Sequence, residues 1–295
     1  MNKSILSANL LLVITAIIWG FAFVAQRVGM DFVGPFTFNA VRFALGGLSL
    51  YPLLLYFNRK KESEQIKIPA WKKKYAGIIL GLFLFVGASL QQVGLVYTTA
   101  GNAGFITGLY VVIVPLLGLY LGHKTNIFVW LGAFLAAVGL YFLSVKGDFT
   151  ISNGDIIVLI SAFFWAIHVQ LIGIFSPQMN AIKLSMIQFF VCSALSFIVA
   201  FTFENVVFSN ILAAAIPILY GGLLSVGVAY TLQIVAQKKA LPAHAAIILS
   251  LEAVFALIGG WLFLNESFDG RSLFGCGLML LGMLLAQAEN FIKKR

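Results

Sequence analysis

Glu252 stands alone in the stretch ILSLEAVFALIGG, residues 248–260; from Ala240 to Leu264 no other side chain carries a formal charge. In a bilayer-crossing segment, a charge at the centre costs roughly 2.5–3.5 kcal/mol on insertion scales. A carboxyl kept there could exchange a proton against a cationic or zwitterionic substrate, or it could bond a neighbouring helix and tie the chain together. Arg42 poses the same question with the opposite sign. It lies six or seven residues into an apolar run, where its planar fork could hold a substrate carboxylate bidentately. Alternatively it snorkels to an interface or pairs with another segment. His168 follows Trp165 by three residues, about one helical turn on the same face. It could bind substrate or relay protons, or it could be a satisfied interior histidine. Glu252 and His168 are therefore the two candidates for proton coupling.

The uncharged polar groups form a second set. Gln91, Gln92, Gln170, Gln233, Asn39, Tyr110 and Tyr230 all fall within apolar runs, where each needs a partner. They could line a polar cavity or serve as interhelical glue. Trp19 and Trp165 lie near the middle of their segments, whereas interface belts place tryptophan at helix ends. Mid-segment rings suit a cavity wall, stacking on a ring or a cation, or packing between helices. The three histidines are scattered, and no HExxH, Cys/His cluster, GxSxG or Walker sequence occurs. Those absences speak against a metal site, serine hydrolysis and ATP-driven pumping. No cofactor is expected, and the chain does not read as an enzyme. Cys192 and Cys276, inside apolar segments, read as packing residues.

These residues need elements to hold them, and the composition says which kind. Of 295 residues, 61% are hydrophobic and 10% charged, against about 25% charged in ordinary soluble domains. Such a chain cannot cover a globule with polar surface, so its solvent is largely lipid. Uncharged runs of roughly 20 residues give ten expected spans, near 8–28, 36–57, 75–97, 102–121, 126–145, 155–175, 183–203, 212–236, 243–264 and 271–289. The polar TTAGNAG at 98–104 marks the turn inside the long run from Tyr75 to Gly122. The first apolar run is longer than a signal-peptide core and reads as a retained span.

Seven of the nineteen Lys and Arg lie between Arg59 and Lys74, which reads as a loop beside anionic lipid rather than a nucleic-acid site. With the N-terminus inside, fifteen Lys and Arg fall on the inner side and three on the outer. That positive-inside bias places both termini in the cytoplasm.

The two halves also match. AIIWGF around Trp19 aligns with AFFWAI around Trp165 at an offset of 146, and the same offset pairs Arg42 with Gln188, so both halves place a strong hydrogen-bonding group there and Gln188 is a further cavity candidate. An offset of 143 pairs Gly132 with Gly275 and Gly139 with Gly282. Two copies of five spans each put the second copy upside down, the inverted repeat of transporters. Glycines at GxxxG spacing, Gly77/Gly81, Gly104/Gly108 and Gly118/Gly122, allow close helix approach.

The segment YTLQIVAQKKALPAHAAIILSLEAVFALIGGWLFLNE (230–266) resembles the second-repeat signature of the drug/metabolite transporter superfamily, EamA type. YTTAGNAGFITGLYVVIVPLLGLYLG (97–122) is similar to the matching first-repeat segment. The resemblance spans the chain. It implies an all-α integral membrane protein of ten transmembrane helices, two inverted five-helix repeats over 1–147 and 148–295, with a central cavity and alternating access. One departure is visible: Ala253 follows Glu252 where such sequences usually carry proline, so a helix distortion there is not dictated by that residue.

The resulting expectation is a multi-pass carrier in a plasma (inner) membrane. Its partners are a small-molecule substrate, the lipid bilayer and, as a candidate coupling ion, the proton. The leading cargo is a small polar or zwitterionic metabolite such as an amino acid, moved outward. An exporter of lipophilic cations is the alternative within the class; an intramembrane enzyme or a lipid scramblase is the alternative outside it. Monomer and homodimer both remain open.

Overall fold

The computed structural model describes residues 3–59, 70–123, 126–144, 152–265, 267 and 270–287, and every regular element among them is helical. In lipid each backbone N–H and C=O must be paired within the chain, which helices accomplish segment by segment. Most of the expected basic loop (60–69) and the basic C-terminus (288–295) lie outside the described residues.

In chain order the helices are α1 (Lys3–Gly29), α2 (Pro35–Ser49), α3 (Tyr51–Arg59), α4 (Ala70–Val96), α5 (Ala100–Gly108), α6 (Tyr110–Tyr120), α7 (Ile127–Ser144), α8 (Asn153–Phe175) and α9 (Ala181–Phe203). Then follow α10 (Phe208–Ala213), α11 (Ala215–Leu219), a π-helical stretch (Tyr220–Tyr230), α12 (Thr231–Gln237), α13 (Pro242–Leu249), α14 (Glu252–Phe263) and α15 (Gly270–Gln287). Among the described residues, eight stretches are long and apolar enough to cross a membrane. The apolar parts of α7 and α15, Ile127–Phe142 and Leu273–Ala286, are shorter. The expected turn at 98–104 is tighter than its composition suggests. Only 97–99 leave the helix, and Ala100 to Gly104 already belong to α5.

Helix starts are fixed by side chains. Ser152 and Asp155 form a reciprocal capping box at α8, and Asn180 caps α9 by accepting from the Lys183 N–H. The start of α2 is capped from a distance. Glu204, just past the end of α9, accepts from the backbone N–H of Phe36 (2.8 Å) and Thr37 (2.8 Å) and from the Thr37 hydroxyl (2.6 Å). A Cβ on Gly34 would come within 2.3 Å of the Glu204 carboxyl carbon, so only glycine leaves room for this clamp.

The packing is reciprocal between halves. α1 lies against α13, α14 and the π-helical stretch, while α8 lies against α5, α6 and α4; α2 meets α9, and α7 meets α15. At the last interface a Cβ on Gly132 would sit 2.7 Å from the Gly282 carbonyl, and one on Gly139 would sit 2.6 Å from the Gly275 carbonyl. The backbones therefore come closest at these glycines, where a side chain would not fit. The offset of 143 read from the sequence carries one of these contacts into the other.

Two spans are interrupted at matching places. α5 gives way to α6 at Leu109 (φ −60°, ψ −14°), and α13 gives way to α14 at Leu251 (φ −60°, ψ −13°). The Val112 N–H bonds the Leu109 carbonyl and the Val254 N–H bonds the Leu251 carbonyl, each reaching back three residues instead of four. The distortion beside Glu252 is thus present with alanine at 253. Tightening of the backbone turn supplies it, without a proline ring.

Candidate functional site

Each interruption brings a polar residue to the first position of the half-helix that follows: Tyr110 on α6 and Glu252 on α14. The two meet. The Tyr110 hydroxyl donates to Glu252 Oε1 at 3.0 Å, with both residues buried. Both belong to the wall of a narrow cavity of about 30 Å³, enclosed by parts of α1, α2, α4, α5, α6, α8, the π-helical stretch and α12 to α14.

The lining comes in pairs. An offset of 146 separates Trp19 from Trp165 and Phe23 from Val169. An offset of 142 separates Gln91 from Gln233, Thr107 from Leu249, and Tyr110 from Glu252. The cavity therefore lies where the matching elements of the two halves converge.

Aromatic rings form much of the wall. Tyr230, at the end of the π-helical stretch, is 4.6 Å from Trp19 and stacks on Trp165 at 6.0 Å with planes 26° apart. Trp19 Nε1 donates to the Ser225 carbonyl at 3.2 Å. A π-helical stretch of this length is rare, and shorter ones recur at functional sites. Here it carries Ser225 and Tyr230 into the lining.

Arg42 is 2% exposed, so it does not snorkel. Its Nε donates to Asn39 Oδ1 at 2.9 Å, and its guanidinium carbon lies 5.0 Å and 5.5 Å from the Phe43 and Phe38 ring centres. Among the described residues it makes no ion pair, and Glu252 makes none either, although both line the same cavity. Gln91 donates to the Thr107 hydroxyl at 3.0 Å. Gln26 Oε1, Trp165 Nε1 and Gln233 Oε1 are buried and bond nothing among the described residues.

Eight of the thirteen residues singled out from the sequence thus converge here: Trp19, Arg42, Gln91, Tyr110, Trp165, Tyr230, Gln233 and Glu252. The other five lie behind the wall. Asn39 holds Arg42, and Gln92 reaches the Gln26 carbonyl at 3.5 Å. Gln170 ties α8 to the Val114 carbonyl of α6 at 2.7 Å. His168 Nε2 meets Gln188 Oε1 at 2.9 Å, joining α8 to α9, with its ring edge-on to Trp165 and Tyr230. Sequence reasoning passed over Phe23 and Gln26, which share a helical face with Trp19 at spacings of four and seven. Repeat pairing would also have found Phe23, through Val169. Ser225 carried no signal, since it matters here through its backbone carbonyl.

The EamA-like transporter family model matches this chain twice, over residues 6–145 and 152–287. The chain belongs to the EamA-like transporter family. An uncharacterized transporter of Archaeoglobus fulgidus is 34% identical over 283 residues, covering 95% of this chain and 85% of its own length. The uncharacterized transporter YoaV of Bacillus subtilis is 25% identical, covering 91% and 92% respectively. A crystal structure that is 20% identical superposes with a TM-score of 0.75 over 96% of both chains, a likeness of fold. Membership of the EamA-like family and the apolar helices together make this a multi-pass membrane transporter.

Proposed function

We propose that this EamA-like transporter is a secondary carrier for a small zwitterionic metabolite, with an amino acid or a related compound as leading cargo. One observation carries the reading: Arg42 and Glu252 line one aromatic-walled cavity without pairing with each other. Such a pair of separate, opposite charges matches the two ends of a zwitterion, and the tryptophan and tyrosine faces suit the ammonium. Arg42 on the wall counts against a lipophilic cation as cargo, since the guanidinium would repel it.

The carrier has ten spans in two inverted halves, 1–147 and 148–295, and it works by alternating access. Support comes from the reciprocal glycine contacts, the matched helix interruptions and the paired cavity lining. The cavity is far below the roughly 300–1,000 Å³ of ordinary ligand pockets, so the elements around it must part to admit cargo. The lysine and arginine bias puts both termini in the cytoplasm of a plasma (inner) membrane. Export is the preferred direction, driven by the cargo gradient or by protons exchanged at Glu252.

Counterflow in proteoliposomes tests this, with labelled amino acids, amines and organic anions run against wild type, Glu252→Gln and Arg42→Gln. Uptake of an amino acid by wild type, lost in both variants, is expected. Uptake that survives both substitutions would remove the two charges from cargo recognition. A pH-sensitive dye inside the vesicles reports proton movement, which should disappear in Glu252→Gln if that carboxyl exchanges the proton.

A further inference from the structure

Resting on the zwitterion reading above, we infer that Asn39 is the residue that makes this cavity selective for a carboxylate, because it aims Arg42 without neutralising it. Asn39 is fully buried and stands outside the cavity lining, one helical turn before Arg42 on α2. Its amide orientation is dictated by chemistry. The Ala88 carbonyl can only accept, so it faces Nδ2 at 3.2 Å; Arg42 Nε can only donate, so it faces Oδ1 at 2.9 Å.

That arrangement leaves the two terminal nitrogens as the remaining donors of the guanidinium. Nε is occupied by Asn39, and rings of Phe38 and Phe43 lie beside the guanidinium carbon. The terminal nitrogens remain for the cavity, in the geometry that grips a carboxylate with two parallel bonds. A carboxylate in place of Asn39 would fix the same direction and cancel the charge, leaving nothing for an anionic cargo group. A neutral acceptor gives aim alone. The other half lacks this device: the offset of 146 puts Ser185 at the Asn39 position and Gln188 at the Arg42 position. Ser185 accepts from Thr231, and Gln188 is turned to His168. The carboxylate of the cargo therefore lies on the α2 side of the cavity, and its ammonium on the side of Glu252. Asn39 is a positioning residue, acting through Arg42.

The test measures binding to full-length protein in nanodiscs by the fluorescence of the tryptophans, two of which line the cavity. The probes are alanine against ethylamine, leucine against isoamylamine, and phenylalanine against phenethylamine, so each pair differs by one carboxylate. Wild type is expected to bind the amino acid of at least one pair tenfold or more tightly than its amine. Asn39→Ala releases Arg42, and that preference should fall about tenfold while amine affinity is unchanged. Asn39→Asp keeps the guanidinium aimed but pairs it, so the preference should disappear and amine binding should strengthen. Two variants are used because either could fail to fold, and one suffices. A preference kept in either variant that folds, or amino acid and amine weakened equally, overturns the role of Asn39 and leaves the zwitterion reading standing. No carboxylate preference in wild type overturns both.

Discussion

Replacing Glu252 and replacing Tyr110 put different questions to one hydrogen bond. In Glu252→Gln the side-chain carbonyl still accepts from the Tyr110 hydroxyl, so stability should change by less than about 1 kcal/mol. Cargo recognition should nevertheless be lost. Tyr110→Phe does the reverse. It leaves a buried carboxyl oxygen without its donor, at about 1–3 kcal/mol, read as a lower midpoint of thermal unfolding in detergent. Glu252 and the paired tryptophans were legible in the sequence because an isolated charge and a mid-span tryptophan are conspicuous anywhere in an apolar run. The part played by Asn39 was not. It depends on which way Arg42 turns, and helices apolar on every side carry no face pattern from which to read that rotation.

At the scale of elements, two junctions invite direct tests. The clamp of Glu204 on the start of α2 holds two backbone N–H groups and a hydroxyl. Glu204→Ala should cost about 0.5–2 kcal/mol, the usual worth of a helix cap. It should also raise hydrogen exchange at the Phe36 and Thr37 amides; unchanged exchange would mean that another group caps this helix. The α7–α15 seam leaves less tolerance. Gly132→Ala drives a methyl against the Gly282 backbone, and overpacking of this kind costs about 1–3 kcal/mol. A lower unfolding midpoint is expected, with cargo affinity unaffected, since neither helix lines the cavity. The internal repeat marked these four glycines as counterparts, Gly132 with Gly275 and Gly139 with Gly282, but not which of them touch. The clamp escaped notice because Glu204 and Thr37 are 167 residues apart and meet only through the crossing of α2 and α9.

Over the whole molecule, span length and the low share of charged residues made the all-helical membrane architecture readable, while the interruptions at Leu109 and Leu251 were not. Leu109 follows Gly108 and Leu251 follows Ser250, and neither junction has a proline, so no residue type common to the two announced the change. The hydrogen bond that joins the two interruptions has a consequence for how such a carrier moves. Exchange of the two halves turns Tyr110–Glu252 into Glu252–Tyr110, the same contact, so it can persist whichever side of the membrane is open. The Glu204 clamp has no such symmetry: the offset of 146 carries Thr37 to Lys183, whose N–H is held by Asn180 at the start of its own helix. Under alternating access, the first contact is then a pivot and the second a weight on one pan of the balance. Changes at the pivot should alter how firmly the machine is assembled; changes at the clamp should alter which way it rests.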